Sequence, residues 1–125
     1  MILYIILYTI LISFAAIFKS ASDNMADHYD KSIFTRFNNP MFWDKSVSWQ
    51  RKYNKGWQYW DPISDAWHIS NGCMICSFIA AGIFFPTFNL IFNPVFTSII
   101  IFIVSGVLFT LVFNTFYNHI FKKKS

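Results

Sequence analysis

Imidazole groups occur at three places in this 125-residue chain, twice beside an aspartate: Asp27-His28, Asp65 to His68, and His119 near the end. Every acid in the chain is an aspartate, and there is no glutamate. Imidazole and carboxylate together suit Zn²⁺, Fe²⁺ or Mn²⁺, and metal sites in helical bundles draw their ligands from facing helices. If the segments between these residues cross a membrane, all three histidines fall at one face. His28, His68, His119, Asp27 and Asp65 then form a candidate site for a divalent metal. The plainer reading is a set of interfacial polar residues that snorkel, cap helices or pair with lysine. Asp65 falls in the first turn after Pro62, where the helix dipole favours an acid without any metal. No H-x-x-x-H or H-E-x-x-H spacing occurs. Both readings stand.

Cys73-Met74-Ile75-Cys76 has the C-x-x-C spacing of thiol oxidoreductases. That chemistry needs an accessible thiolate of lowered pKa and a second pair to relay electrons. No second pair exists, and both cysteines lie inside an apolar stretch, so they read as small packing residues. Thr110, Asn114 and Asn118 make a polar ladder that reads as glue between helices. With no acid or base near mid-membrane, proton-coupled transport is disfavoured. Serine-hydrolase, P-loop and dinucleotide motifs are absent.

Composition determines what must position these residues. The chain is 55% hydrophobic, with sixteen phenylalanines and a mean hydropathy of +0.41. That is too apolar for an ordinary soluble domain and fits one integral membrane domain, 1–125. The net charge of +4 does not imply nucleic acid, because three of the ten basic residues are the terminal Lys122, Lys123 and Lys124. Two cysteines imply no disulfide framework.

Residues 2–18 are apolar apart from Thr9 and Ser13, near the lower limit for a spanning helix. A cleaved signal peptide is the rival reading, with Lys19-Ser20-Ala21 as a possible cleavage site. No basic residue precedes the run, so a retained helix over 1–29 is expected. Thr9, Ser13, Ala16, Ser20, Asp23 and Asp27 would form its small and polar stripe. Ser32 to Asn38 then connects, with Ile33, Phe34 and Phe37 to bury.

Three Asx-Pro steps follow, Asn39-Pro40, Asp61-Pro62 and Asn93-Pro94, each reading as an N-cap with proline at the first helical position. The first predicts a helix to about Asn54 within a tryptophan-rich interfacial segment, 39–60. On its wheel Phe42, Trp49 and Tyr53 share a face opposite Lys45, Arg51 and Lys52, the pattern of a helix lying in the membrane surface. Trp43, Trp57 and Trp60 add to this aromatic belt. The second step opens a helix over 62–85, stopped by Pro86. In it Gly72, Cys76 and Ala80 form a small-residue row for helix packing, with Cys73, Ser77 and Ala81 beside it. The third opens a helix over 94–121 with Gly106, Thr110 and Asn114 in one row, followed by a basic tail, 122–125.

Lysine and arginine lie in the connection between helices one and two and in the tail, and none lies in the Thr87–Asn93 turn. The positive-inside rule then puts the N-terminus outside and the C-terminus in the cytoplasm.

The run NPMFWDKSVSWQRKYNKG, followed by SDAWH, resembles a group of small bacterial membrane proteins that share an N-P-x-F-W…S-W…K-Y block and a D-x-W-H step. The likeness covers residues 27–68 and implies a membrane location, in a bacterial inner membrane; no activity comes with it.

The expected fold is an all-α membrane protein, with three transmembrane helices and an interfacial helix between the first and second. Its first partner is the lipid bilayer. Two functions from different classes remain: a non-enzymatic subunit of a larger membrane complex or a homo-oligomer acting through helix contacts, and a metal-dependent membrane enzyme using the Asp/His set.

Overall fold

A computed structural model describes residues 2–48, 65–85 and 93–123. Four α-helices are labelled here: α1, Ile2–Asp27; α2, Pro40–Trp43; α3, Ala66–Phe84; and α4, Pro94–Thr115, which continues as a π-helical turn over Phe116–Ile120. Among the described residues there is no strand, only an isolated antiparallel bridge between Ser32 and Lys122. Among the described residues three helices are long and apolar enough to cross a bilayer: α1, α3 and the continuous run Pro94–Ile120. Ile79, Ile83, Phe102, Ile103 and Leu111 point outward. An apolar girdle of that extent is incompatible with water and ordinary in lipid. The chain is a small all-helical membrane protein.

The 26 residues of α1 make a rod about 39 Å long at 1.5 Å per residue. Its length exceeds the roughly 30 Å of bilayer hydrocarbon, so its last turns project beyond the core. Both α3 and α4 lie against α1, and they meet each other through the stacked rings of Phe78 and Phe109, 5.7 Å apart. The contact face of α1 is built from small residues: Ala15, Ala16, Ser20 and Ser22 are fully buried, which lets backbones approach closely. Polar side chains bind the helices at three levels. Tyr8 Oη and Ser105 Oγ are 2.8 Å apart, Ser22 Oγ donates to Asn71 Oδ1 at 3.3 Å, and Asn24 Nδ2 donates to the Tyr117 carbonyl at 3.4 Å.

The expected polar stripe of α1 is only partly buried. Ala16 and Ser20 face the neighbouring helices, whereas Thr9 is exposed and Ser13 half-buried. Thr9 and Ser13 donate to the carbonyls of Ile5 and Thr9, each at 2.8 Å. A hydroxyl satisfied by its own helix can face lipid without a partner.

The packing rows on α3 and α4 differ from expectation. On α3 the buried small residues are Ser77 and Ala81; Cys76 is exposed, Gly72 and Ala80 are half-buried. A Cβ added at Gly72 or Gly106 would meet nothing within 4 Å. One residue step turns a helix by 100°, so the neighbouring row, Cys73–Ser77–Ala81, is the one that faces α1. Thr110, Asn114 and Asn118 are exposed, and Thr110 donates back to the Gly106 carbonyl.

Caps follow the Asx-Pro expectation in part. Asn93 caps α4, its side chain accepting from the Val95 amide at 2.9 Å, with Pro94 at the first position. Asn39 precedes Pro40 but makes no side-chain cap bond. α3 is capped at Asp65, and the Asp61-Pro62 step lies outside the described residues. The helix expected from Pro40 to Asn54 breaks at Asp44, whose backbone is extended. Asp44 Oδ1 accepts from the amide and the hydroxyl of Ser46 at 2.8 and 2.6 Å. An aspartate that binds the backbone two residues on competes with helix continuation; residues 45–48 are then helical again. Trp49, Tyr53, Trp57 and Trp60 lie outside the described residues, as does the rest of the expected interfacial helix.

Phe42 and Trp43 pack inward. Ala21, Met25, Phe34 and Ala66 form a buried apolar cluster at the membrane-projecting end of α1, with Tyr29, Phe42, Trp43 and Phe121 packed around it. Phe34 stacks on Trp43 at 5.6 Å and meets Phe121 at 5.2 Å. Phe37, expected to be buried, is 47% exposed and lies against the other side of Trp43 at 4.6 Å. The residues after α4 are tied in as well. The Ile33 amide donates to the Phe121 carbonyl and the Lys123 amide to the Lys31 carbonyl, both at 2.7 Å. The connection and the end of the chain therefore share one face, as the charge pattern requires.

Candidate functional site

The residues that could do chemistry lie around the first turn of α3. Asp65 is extended, at φ −150° and ψ 169°, so its side chain folds over the helix start and accepts from the His68 amide at 2.8 Å. That is the standard N-cap geometry, and it satisfies one of the orphan donors of the first turn. The same oxygen, Oδ1, lies 3.0 Å from His68 Nδ1. The Asp65 side chain is 4% exposed and that of His68 38%, so a buried carboxylate orients an accessible imidazole. A carboxylate at Nδ1 favours the proton on that nitrogen and makes Nε2 the acceptor nitrogen of the neutral ring. The Trp67 ring stands edge-on to His68 at 4.8 Å, and Lys45 Nζ lies 4.0 Å above the Trp67 ring. A cation–π contact of this kind contributes about 0.5–1 kcal/mol at an exposed site.

The other members of the Asp/His set are placed elsewhere. Asp27 is exposed at the end of α1, His28 is exposed with its ring 6.0 Å from that of Tyr117, and His119 is exposed on the π turn. Among the described residues no three His, Cys, Asp or Glu side chains are close enough to hold a metal ion. The structure thus joins Asp65 to His68 and leaves His28, His119 and Asp27 apart from them. An Asp–His pair alone holds an imidazole in one orientation and can supply one ligand. Structural metal sites need about four ligands, and catalytic ones about three plus water.

Cys73 is half-buried and Cys76 exposed, and both are free thiols. The Tyr29 phenol, in the aromatic layer under the site, is pushed above its ordinary range by burial and then by the carboxylates of Asp44 and Asp30. Two neighbours of the site were not anticipated. Asn71 carries a signal, being a polar residue inside an apolar span. Lys45 carries none, because nothing in its spacing relates it to Trp67.

The cap makes a specific demand. Asp65→Ala should lower stability by about 1 kcal/mol, whereas Asp65→Asn, itself a good cap, should cost only a few tenths. Thermal melts in detergent check this. Equal losses in both variants would show that the carboxylate's charge toward His68 outweighs its capping.

No protein-family model, curated protein or solved structure matches the chain.

Proposed function

We propose that this protein is a non-enzymatic membrane subunit that associates with copies of itself, or with a larger membrane complex, through the outward row of α3. The observation that carries this reading is the place of Gly72, Cys76 and Ala80. Cys76 is exposed, Gly72 and Ala80 are half-buried, and there is open space around Gly72. In lipid, where apolar surface alone drives no association, rows of small residues let a second helix pack closely. Cys76 and the open side of Gly72 are covered by none of the described residues and offer that row to another helix. The likeness of residues 27–68 to small bacterial membrane proteins supports a bacterial inner-membrane setting.

Two leucine substitutions separate the faces of the bundle. Gly72→Leu should leave the melt of the isolated chain unchanged and weaken association, read by chemical crosslinking in vesicles. Ala16→Leu, at a fully buried position, should instead cost about 1–3 kcal/mol by overpacking. Association unchanged in both Gly72→Leu and Cys76→Leu would end the proposal.

A second reading rests on the alignment of buried Asp65 on His68: a metal-dependent enzyme acting at the membrane face, for example on a lipid headgroup. Its remaining ligands would come from residues outside the described ones or from another copy. Stoichiometric Zn²⁺, Fe²⁺ or Mn²⁺ in purified protein, lost in His68→Ala, would support it. Protein free of metal after purification without chelator would count against it.

A further inference from the structure

Two backbone bonds fasten the residues after α4 to the connection after α1. The Ile33 amide donates to the Phe121 carbonyl and the Lys123 amide to the Lys31 carbonyl, on either side of the antiparallel bridge between Ser32 and Lys122. This register sets Lys31 across from Lys123, with Cβ atoms about 5 Å apart. Ser32 is extended and buried, so the pleat turns its neighbour Lys31 outward. Lys31, Lys122 and Lys123 are all exposed. We propose that this edge binds the phosphodiester of an anionic phospholipid, held between the ammonium groups of Lys31 and Lys123 with Lys122 beside them.

The pairing itself calls for an anion. Like charges directly opposite on paired segments repel, and here backbone bonds keep the two lysines in register. Among the described residues no carboxylate forms an ion pair with Lys31, Lys122 or Lys123. The Lys123 ammonium donates to the backbone carbonyl of Asp30 at 3.3 Å, a contact that leaves its charge uncompensated. Asp27 and Asp30, the nearest acids along the chain, are exposed, and the three lysines outnumber them. An ammonium carries three donors, so Lys123 can keep its bond to Asp30 and still share phosphate oxygens with Lys31.

Depth selects the source of the phosphate. The spanning run Pro94–Ile120 has 27 residues, about 40 Å at 1.5 Å per residue. A bilayer with its headgroups is roughly 40–45 Å thick. Lys122 and Lys123 therefore follow directly where the run emerges among the headgroups, and Lys31, bonded across the bridge, shares their level. Tyr29, Trp43 and Phe121 belong to the aromatic cluster at this end of the bundle, and tryptophan and tyrosine concentrate where membrane meets water. Lipid phosphates are crowded into that plane, whereas a soluble anion has to be drawn from dilute solution. Each lysine near an anionic surface strengthens the attraction about fivefold.

The test takes the full chain in nanodiscs of equal parts phosphatidylcholine and phosphatidylglycerol and releases it intact into a mass spectrometer, which counts the lipid that stays bound. Complexes with one phosphatidylglycerol should outnumber those with one phosphatidylcholine several-fold. Lys31→Gln and Lys123→Gln should each remove most of that excess, and the double variant little more, because one phosphate uses both ammonium groups. Lys31→Arg should keep it, as should Lys19→Gln, whose lysine is already paired with Asp23 at 2.6 Å. Equal retention of the two lipids by the unsubstituted chain would overturn the proposal whatever the variants do. So would an excess that Lys19→Gln lowers as far as Lys31→Gln does, the mark of diffuse surface charge. Loss of the excess together with a lower melt in pure phosphatidylcholine would make the lysines structural and overturn it as well. Displacement of phosphatidylglycerol by millimolar inorganic phosphate would give the site to a soluble anion, against the proposal. Gly72→Leu, which tests the α3 row, should leave the excess unchanged.

Discussion

The stretch of α1 from Ser20 to Met25 holds the connector face together, because it is where a helix longer than the bilayer's hydrocarbon gains a second set of neighbours. Within the hydrocarbon α1 meets α3 and α4. Beyond it, Ala21 and Met25 become the floor of a small apolar core closed by Phe34, Ala66, Trp43 and Phe121. Those residues come from the connection, the start of α3 and the end of α4. One helix face therefore sets where α3 begins, how the connection folds back and where the chain's last residues are tied down. Ser32 fits under this layer, fully buried, donating to the Tyr29 carbonyl and accepting from the Phe34 amide.

Close approach, more than polar bonding, supplies the stability of this arrangement. The three side-chain contacts from α1 to its neighbours are each worth about 0.6 kcal/mol in a membrane. Ala15, Ala16 and Ser20 carry no exposed surface at all, so overfilling at any of them is felt directly. The apolar core beyond the hydrocarbon adds the ordinary hydrophobic term of about 25 cal/mol per Å² that helices inside lipid lack. The π turn at the end of α4 belongs to the same design. Phe121 bonds to Phe116 at 2.8 Å across the widened turn, and the Tyr117 carbonyl there accepts from Asn24.

Much of the architecture could be read from residue pattern, and the rest could not, for physical reasons. Three spans, the Asn93-Pro94 cap and the stop before Pro86 follow from hydropathy and from proline's missing N–H. Asp65 and His68 were picked out only as members of a five-residue set, and their bond depends on Asp65 being the extended cap of α3 rather than a residue of its first turn. The rows on α3 were offset by one residue, because Gly72–Cys76–Ala80 and Cys73–Ser77–Ala81 are equally small. Only the position of α1 decides between them. The break at Asp44 came from a side chain competing with the helix backbone, a local choice that the amphipathic wheel does not record. The tie between residues 31–33 and 121–123 runs through backbone amides and carbonyls, which carry no side-chain signal. The Asp/His set was assembled from topology alone. Sharing a membrane face brings residues to one plane but not within bonding distance, and His28, His68 and His119 illustrate the difference.

With α1 in this central place, the two helices laid on it leave faces that none of the described residues covers. Hydrogen–deuterium exchange in nanodiscs tests that central place most directly, at the part of α1 that lipid does not shield. If Ser20 to Met25 are the floor of a core, their amides exchange slowly, together with those of Ser32 and Ile33, which bond to the Tyr29 and Phe121 carbonyls. Exchange of residues 22–25 as fast as that of an amide exposed to solvent, with the spanning part still protected, would mean that the extension stands free in water and organises nothing around it.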